Sequence, residues 1–151
     1  MSTPTDCYSC RGNANLDSLP PRERIATDDQ WRVAHAFGSA VPGWLVLLPR
    51  RHVTSIADLT RAEAASLGTW QVRLSQALRT VLGCEKTYVA QFAEAAGFAH
   101  VHFHIVPRGA NLADEFRGPR IFQLLGPSAP PHVGEAQMDD IAARLASELT
   151  S

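Results

Sequence analysis

Three of the six histidines in this 151-residue chain fall within one seven-residue run, His100-Val101-His102-Phe103-His104-Ile105-Val106, with Pro107-Arg108 directly after it. Apolar residues and histidines alternate, which is the period of a strand and not of a helix. Successive strand side chains point to opposite faces. Val101, Phe103 and Ile105 are therefore expected to face a core, and His100, His102 and His104 to share the other face about 7 Å apart. Two chemistries use such a row. Histidines two apart on a strand converge on one zinc ion and leave a position open for water. Alternatively, a neutral imidazole attacks phosphorus to form a phosphohistidine that water hydrolyses, while flanking imidazoles serve the phosphate oxygens and the leaving group. Spacing alone leaves both open. A second candidate group is Cys7-Tyr8-Ser9-Cys10, half of the ligand set that a four-coordinate structural zinc requires, in a turn-rich N-terminal knuckle over residues 1–20 that Pro20-Pro21 sets off.

The elements that must position these residues are legible in the surrounding pattern. Gln30 to Phe37 reads as a strand carrying His35, and Gly38 to Pro42 as a turn. Gly43 to Pro49 is an apolar run of strand length, apolar on both faces, which belongs in the middle of a sheet. Thr60-Arg61-Ala62-Glu63 forms a capping box. The apolar positions behind it, Ala64, Leu67, Leu74, Leu78 and Val81, recur at helical steps until Gly83 stops them. Lys86 to Ala93 reads as a strand with Tyr88, Ala90 and Phe92 on one face. It turns through Glu94-Ala95-Ala96-Gly97 into the histidine strand as a hairpin. Residues 109–134 are rich in Gly and Pro and are expected to be irregular, with Ile121 to Leu125 extended. Residues 135–149 read as a closing helix on Met138, Ile141, Ala142, Leu145 and Leu149. The sum is an α+β domain over residues 1–151: a largely antiparallel sheet, one long central helix and a C-terminal helix.

Bulk properties narrow the function. The chain is 45% hydrophobic and 19% charged with a net charge of -1, a globular composition without the basic field of a nucleic-acid or membrane-surface binder. No apolar run reaches the roughly 20 residues of a membrane helix, and Met1 to Asp6 lacks the apolar core of a signal peptide. Three cysteines, two of them in CxxC spacing, fit a cytoplasmic protein with a metal or redox pair better than a disulfide scaffold.

The run His100-x-His102-x-His104-x-x, apolar at each x, resembles the signature of the histidine-triad (HIT) family of nucleotide hydrolases and transferases. Cys7-x-x-Cys10 and Pro42-Gly43-Trp44-Leu45-Val46-Leu47-Leu48-Pro49-Arg50-Arg51-His52 resemble that family's N-terminal half, so the likeness spans roughly Cys7 to Arg108. It implies a HIT-like fold and nucleotide hydrolysis at the α-phosphate, of a dinucleoside polyphosphate or a nucleoside phosphoramidate. Nucleotidyl transfer, or nucleotide binding with little turnover, are the alternatives. By the same resemblance His102 is the nucleophile, His104 holds the phosphate and the His100 carbonyl fixes the nucleophile's tautomer. His35 and Gln91 fall near the nucleotide. Cys7, Cys10, His52 and His100 would form a structural Cys2His2 zinc site, and two copies would pair through the helix and the sheet edge. Apolar Val106 and the retained His104 resemble the hydrolase branches. Two positions depart from the pattern. Ala96-Gly97-Phe98-Ala99 is two residues shorter than its family counterpart and carries no amide or hydroxyl. Trp44 stands where a histidine is common, and is read as packing. Cys84 is read as a small apolar residue, His132 as exposed, and Arg108, Arg117 and Arg120 as solvated.

Overall fold

The computed structural model describes residues 6–129 and 131–151; the first five residues of the polar lead and Pro130 lie outside them. Helix α1 (Tyr8–Ala14) opens the described chain, where the sequence pattern suggested only turns. Strands β1 (Ala26–Thr27), β2 (Trp31–His35) and β3 (Leu45–Pro49) follow, then helix α2 (Arg61–Leu82), strands β4 (Lys86–Ala90) and β5 (Phe103–Arg108), and helix α3 (Glu135–Thr150). All neighbouring strands run antiparallel in the order β1-β2-β3-β5-β4. The doubly apolar run is thus central, as its composition required.

One face of the sheet is a dry core. Trp31, Val33, Leu45, Leu47, Phe103 and Ile105 point to it and pack on Trp70, Leu74 and Leu78 of α2 and Ile141, Ala142 and Leu145 of α3. A one-residue slip of β5 would drive His104 into this core and expel Phe103 and Ile105, each worth about 1.5–3 kcal/mol when buried. The alternating pattern therefore sets the register, observed as Leu47 opposite Phe103 and Val46 opposite His104. Helix α2 has the expected ends. Thr60 and Glu63 exchange both capping-box hydrogen bonds, and Gly83 closes it in the left-handed conformation. Glu63 is buried and also accepts from Arg51 at 2.8 Å, which ties the helix start to the chain leaving β3. Gly43 has φ +85°, and a Cβ there would run into Leu82 of α2, so the approach to β3 requires glycine.

The opposite face is partly open. Toward one end Trp44, Val106, Ile121 and Leu124 form a smaller apolar cluster. Of Ile121 to Leu125 only Leu125 is extended, bridging Ser39: Gly118–Leu124 is a 3-10 helix begun by Pro119, whose fixed φ suits a first turn. The histidine strand is also shorter than its pattern. It begins at Phe103, and the Val101 amide bonds the Val53 carbonyl in a loop contact. His100 and His102 therefore precede the strand. Among the described residues no helix is long and apolar enough to cross a membrane.

Candidate functional site

The open face of the sheet floors a cavity of about 760 Å³, within the range of small-molecule sites. Alternate residues of three strands supply the floor: Arg32, Ala34 and Ala36 from β2 and the residue beyond it, Val46 and Leu48 from β3, and His104 from β5, with His102 ahead of it. Its walls are aromatic. Tyr8, Phe37 and Phe98 contact one another with ring centroids 5.2–5.7 Å apart. Phe92 packs on Phe122, and Phe122 meets His104 edge to face at 5.0 Å. His132 is exposed, as expected, yet it borders this cavity.

The three histidines of the run do not act as one row. His102 and His104 stay together, rings 4.9 Å apart, and both line the cavity. His100 is fully buried and turned away, with Nδ1 3.5 Å and 3.6 Å from the Cys7 and Cys10 sulfurs. The three imidazoles therefore do not converge on one catalytic metal ion, because both His100 ring nitrogens are engaged elsewhere, by the cysteine sulfurs and the Pro49 carbonyl.

Hydrogen-bond partners assign each tautomer, since a carbonyl only accepts and an indole N–H only donates. His102 Nδ1–H donates to the His100 carbonyl at 2.8 Å, leaving the Nε2 lone pair free. The Trp44 indole donates to His104 Nδ1 at 3.0 Å, so the His104 proton sits on Nε2. Burial, with a smaller effect from His102, holds the His104 pKa down at about 4. His35 donates from Nδ1 to the Ala36 carbonyl and accepts the Gly43 amide at Nε2. Its ring lines the cavity, but neither nitrogen is available to a ligand. It serves to fasten the turn before β3, and burial lowers its pKa. Gln91, expected near the nucleotide, is not among the residues lining the cavity; its Oε1 is buried with no partner among the described residues.

Cys7, Cys10, His52 and His100 form the second cluster, their ligand atoms all within 4.8 Å of one another. The Cys10 sulfur lies 3.2 Å from His52 Nδ1. Tetrahedral zinc with Zn–S near 2.3 Å and Zn–N near 2.0–2.1 Å separates sulfur from nitrogen by about 3.5 Å, so the set fits such an ion. Two further features agree. His100 Nε2–H donates to the Pro49 carbonyl at 2.7 Å, leaving its Nδ1 lone pair toward the sulfurs. Burial and the Cys7 thiol beside it push Cys10 up to about 12, so at neutral pH Cys10 gives up its proton only to a bound cation. Cys84 lies elsewhere, buried.

Arg32 bolts this N-terminal knuckle to the sheet. It is almost fully buried and donates to the Asn13 side chain at 2.7 Å, the Glu23 carbonyl at 2.6 Å and the Ser9 carbonyl at 3.4 Å. Gly12 makes room for it, as a Cβ there would lie 2.8 Å from the guanidinium. A charge within an apolar strand was the available signal for Arg32, and Trp44 in a histidine's usual place was the signal for the indole donor. Arg117 and Arg120 donate to carbonyls of their own loop, and neither they nor Arg108 line the cavity.

The model of the HIT domain matches residues 20–111. The chain belongs to the histidine triad family, whose members are generally nucleotide hydrolases or transferases. Its fold is shared by solved structures of low identity. A zinc-bound histidine triad family protein from Mycobacterium smegmatis is 17% identical with a TM-score of 0.69, over 98% of this chain and 96% of that one. A hypothetical histidine triad nucleotide-binding protein from Sulfolobus tokodaii is 15% identical with a TM-score of 0.70, over 95% and 92%. A Hit-like protein involved in cell-cycle regulation from Bartonella henselae is 18% identical with a TM-score of 0.68, over 91% and 93%. No curated protein matches the sequence.

The buried, neutral His104 makes stability depend on pH. Its folded pKa near 4 lies below its ordinary 6.5, so between these values the unfolded chain binds the extra proton. Stability is complete above pH 6.5 and is lost as pH falls toward 4, by up to ~3 kcal/mol at about 1.4 kcal/mol per pH unit. Urea unfolding at pH 7.5 and 4.5 checks this. Wild type should lose about 2 kcal/mol more than His104→Gln over that interval, and parallel losses would remove His104 as the cause.

Proposed function

We propose that the protein is a nucleotide hydrolase that cleaves at the α-phosphate through a nucleotidyl-histidine on His102. The observation that carries this reading is the pair of opposed tautomers in one cavity, an imidazole lone pair on His102 beside an N–H donor on His104. His102 Nε2 attacks phosphorus as the bond from phosphorus to the leaving group breaks, and that group departs with a proton taken from solvent. The imidazole gains positive charge in this step, and its Nδ1–H bond to the His100 carbonyl strengthens as it does. The His104 Nε2–H meets a phosphate oxygen. Water then attacks phosphorus and returns one proton to solvent, the P–N bond to His102 breaks, and a nucleoside monophosphate leaves with the imidazole neutral again.

Charge favours one of the two substrate classes. Arg32 is the one arginine or lysine among the described lining residues, and its donors are committed to Asn13, Glu23 and Ser9. Glu23 and Glu94 line the cavity as well. Glu23 is paired with Arg32 at 3.5 Å, so a polyphosphate leaving group would meet the Glu94 carboxylate without a free cation, whereas an amine leaving group brings no negative charge. The preferred substrate is therefore a nucleoside phosphoramidate, with its flat parts against the aromatic walls.

The Cys7, Cys10, His52 and His100 cluster is proposed to hold one structural zinc. When bound, zinc supplies a closed cross-link between α1 and the two chain segments that carry His52 and His100. A second copy is proposed along the β4 edge. Val89 is exposed there, and exposed Val72 lies one turn of α2 from Ser75, whose hydroxyl bonds Thr87 of β4.

Three measurements test this reading. Incubation with adenosine phosphoramidate or diadenosine polyphosphates, with quenched intact-mass analysis, should show AMP release and an AMP adduct that are both lost in His102→Ala. Release that persists in the variant excludes His102 as nucleophile. AMP binding without release identifies a binding module, and AMP passed to an added phosphate acceptor identifies a transferase. Zinc added to metal-free protein at 100 times its Kd should raise stability by about 2.7 kcal/mol, but not in Cys10→Ser. Sedimentation should give twice the monomer mass, and the monomer for Val89→Lys.

A further inference from the structure

Trp44 is fully buried and does not line the cavity, so it cannot touch a substrate there. Its indole N–H nevertheless spans 60 positions of sequence to reach the ring of a cavity-lining histidine. We propose that Trp44 is a positioning residue that holds His104 as the neutral, Nε2-protonated tautomer, so that His104 meets the substrate phosphate as a fixed hydrogen-bond donor and serves neither as base nor as second nucleophile. The proposal rests on the nucleotidyl-histidine reading of this cavity.

Three observations support it independently of that reading. The donor can play only one role. An indole nitrogen has no lone pair to accept with, so the His104 Nδ1 it reaches must be unprotonated. The geometry is over-determined, because Trp44 meets the rings of both His104 and Phe122 edge to face at 5.8 Å and 5.2 Å, while Phe122 packs against His104 from another side. Rotation of His104 would disturb its ring contacts with Trp44, Phe122 and His102 and leave a buried indole N–H unpaired. Burial also disfavours the doubly protonated ring, which could not accept the indole bond at all.

The consequence is a division of labour set outside the cavity. His102 and His104 are adjacent imidazoles that could otherwise exchange roles by moving one proton. A backbone carbonyl prevents this at His102 and the indole prevents it at His104. A histidine in Trp44's place could either donate or accept and would leave His104 free to switch; tryptophan removes that freedom.

Nitrogen NMR of the free wild-type protein tests the lock without any substrate. A two-bond coupling across Nε1–H···Nδ1 should join the Trp44 and His104 nitrogens, with His104 Nε2 resonating as protonated. No coupling, together with a protonated His104 Nδ1, overturns the proposal and needs no variant to fold. Trp44→Phe keeps the ring and removes the donor. It should release His104 into a mixture of tautomers and lower kcat/KM for adenosine phosphoramidate by about tenfold or more, with no further loss in a His104→Gln background. Losses that multiply in the double variant, or a His104 that stays Nε2-protonated in Trp44→Phe, overturn it. If wild type turns over no nucleotide, the nucleotidyl-histidine reading fails while the nitrogen spectra still decide the lock.

Discussion

Two hydrogen bonds to imidazole rings, one from a tryptophan and one to a main-chain carbonyl, give this cavity its chemical character. A neutral imidazole has one donor and one acceptor nitrogen that exchange by moving a proton, so a pair of histidines by itself defines no chemistry. Here the His100 carbonyl leaves His102 with a lone pair on Nε2, and the Trp44 indole leaves His104 with a proton on Nε2. The same rule governs two further rings. His35 is neutral between the Ala36 carbonyl and the Gly43 amide, and His100 is held by the Pro49 carbonyl with Nδ1 toward the cysteines.

His100 joins the two sites of the molecule. Its ring belongs to the cysteine cluster and its carbonyl to the hydrogen bond that orients His102, so whatever steadies the cluster also steadies the orientation of His102. The knuckle is held on its other side by Arg32, which spends its charge on Ser9, Asn13 and Glu23. A guanidinium committed in this way is a structural part and no longer a phosphate ligand. The cation deficit of the cavity and the firm seating of the N-terminal helix thus have one cause.

The cavity follows from a sheet that uses its two faces unequally. Trp31, Val33, Leu45, Leu47, Phe103 and Ile105 exclude water beneath α2 and α3. The opposite rows carry Arg32, Ala34, Val46, Leu48 and His104 and stay partly uncovered. Small residues at Ala34 and Ala36 leave volume above β2, and the rings of Tyr8, Phe37, Phe92, Phe98 and Phe122 wall it.

Local pattern determined much of this protein. The capping box at Thr60 and Glu63 and the stop at Gly83 delimit α2 through bonds within a few residues. Strict alternation sets the β5 register, and the doubly apolar run at Gly43 to Pro49 belongs at the sheet centre. The resemblance carried by His100 to His104, Cys7-x-x-Cys10 and Pro42 to His52 named the family and the four residues that cluster. Strand period fails where the strand has not yet begun, so alternation alone puts His100 in a row that its ring does not join. Which nitrogen carries the proton in His102 and His104, why His35 has none to offer a ligand, and why Arg32 is spoken for were decided only by tertiary structure. Those properties depend on where a ring points and what it meets, and the partners are a carbonyl turned inward by a buried loop and an indole 60 positions away.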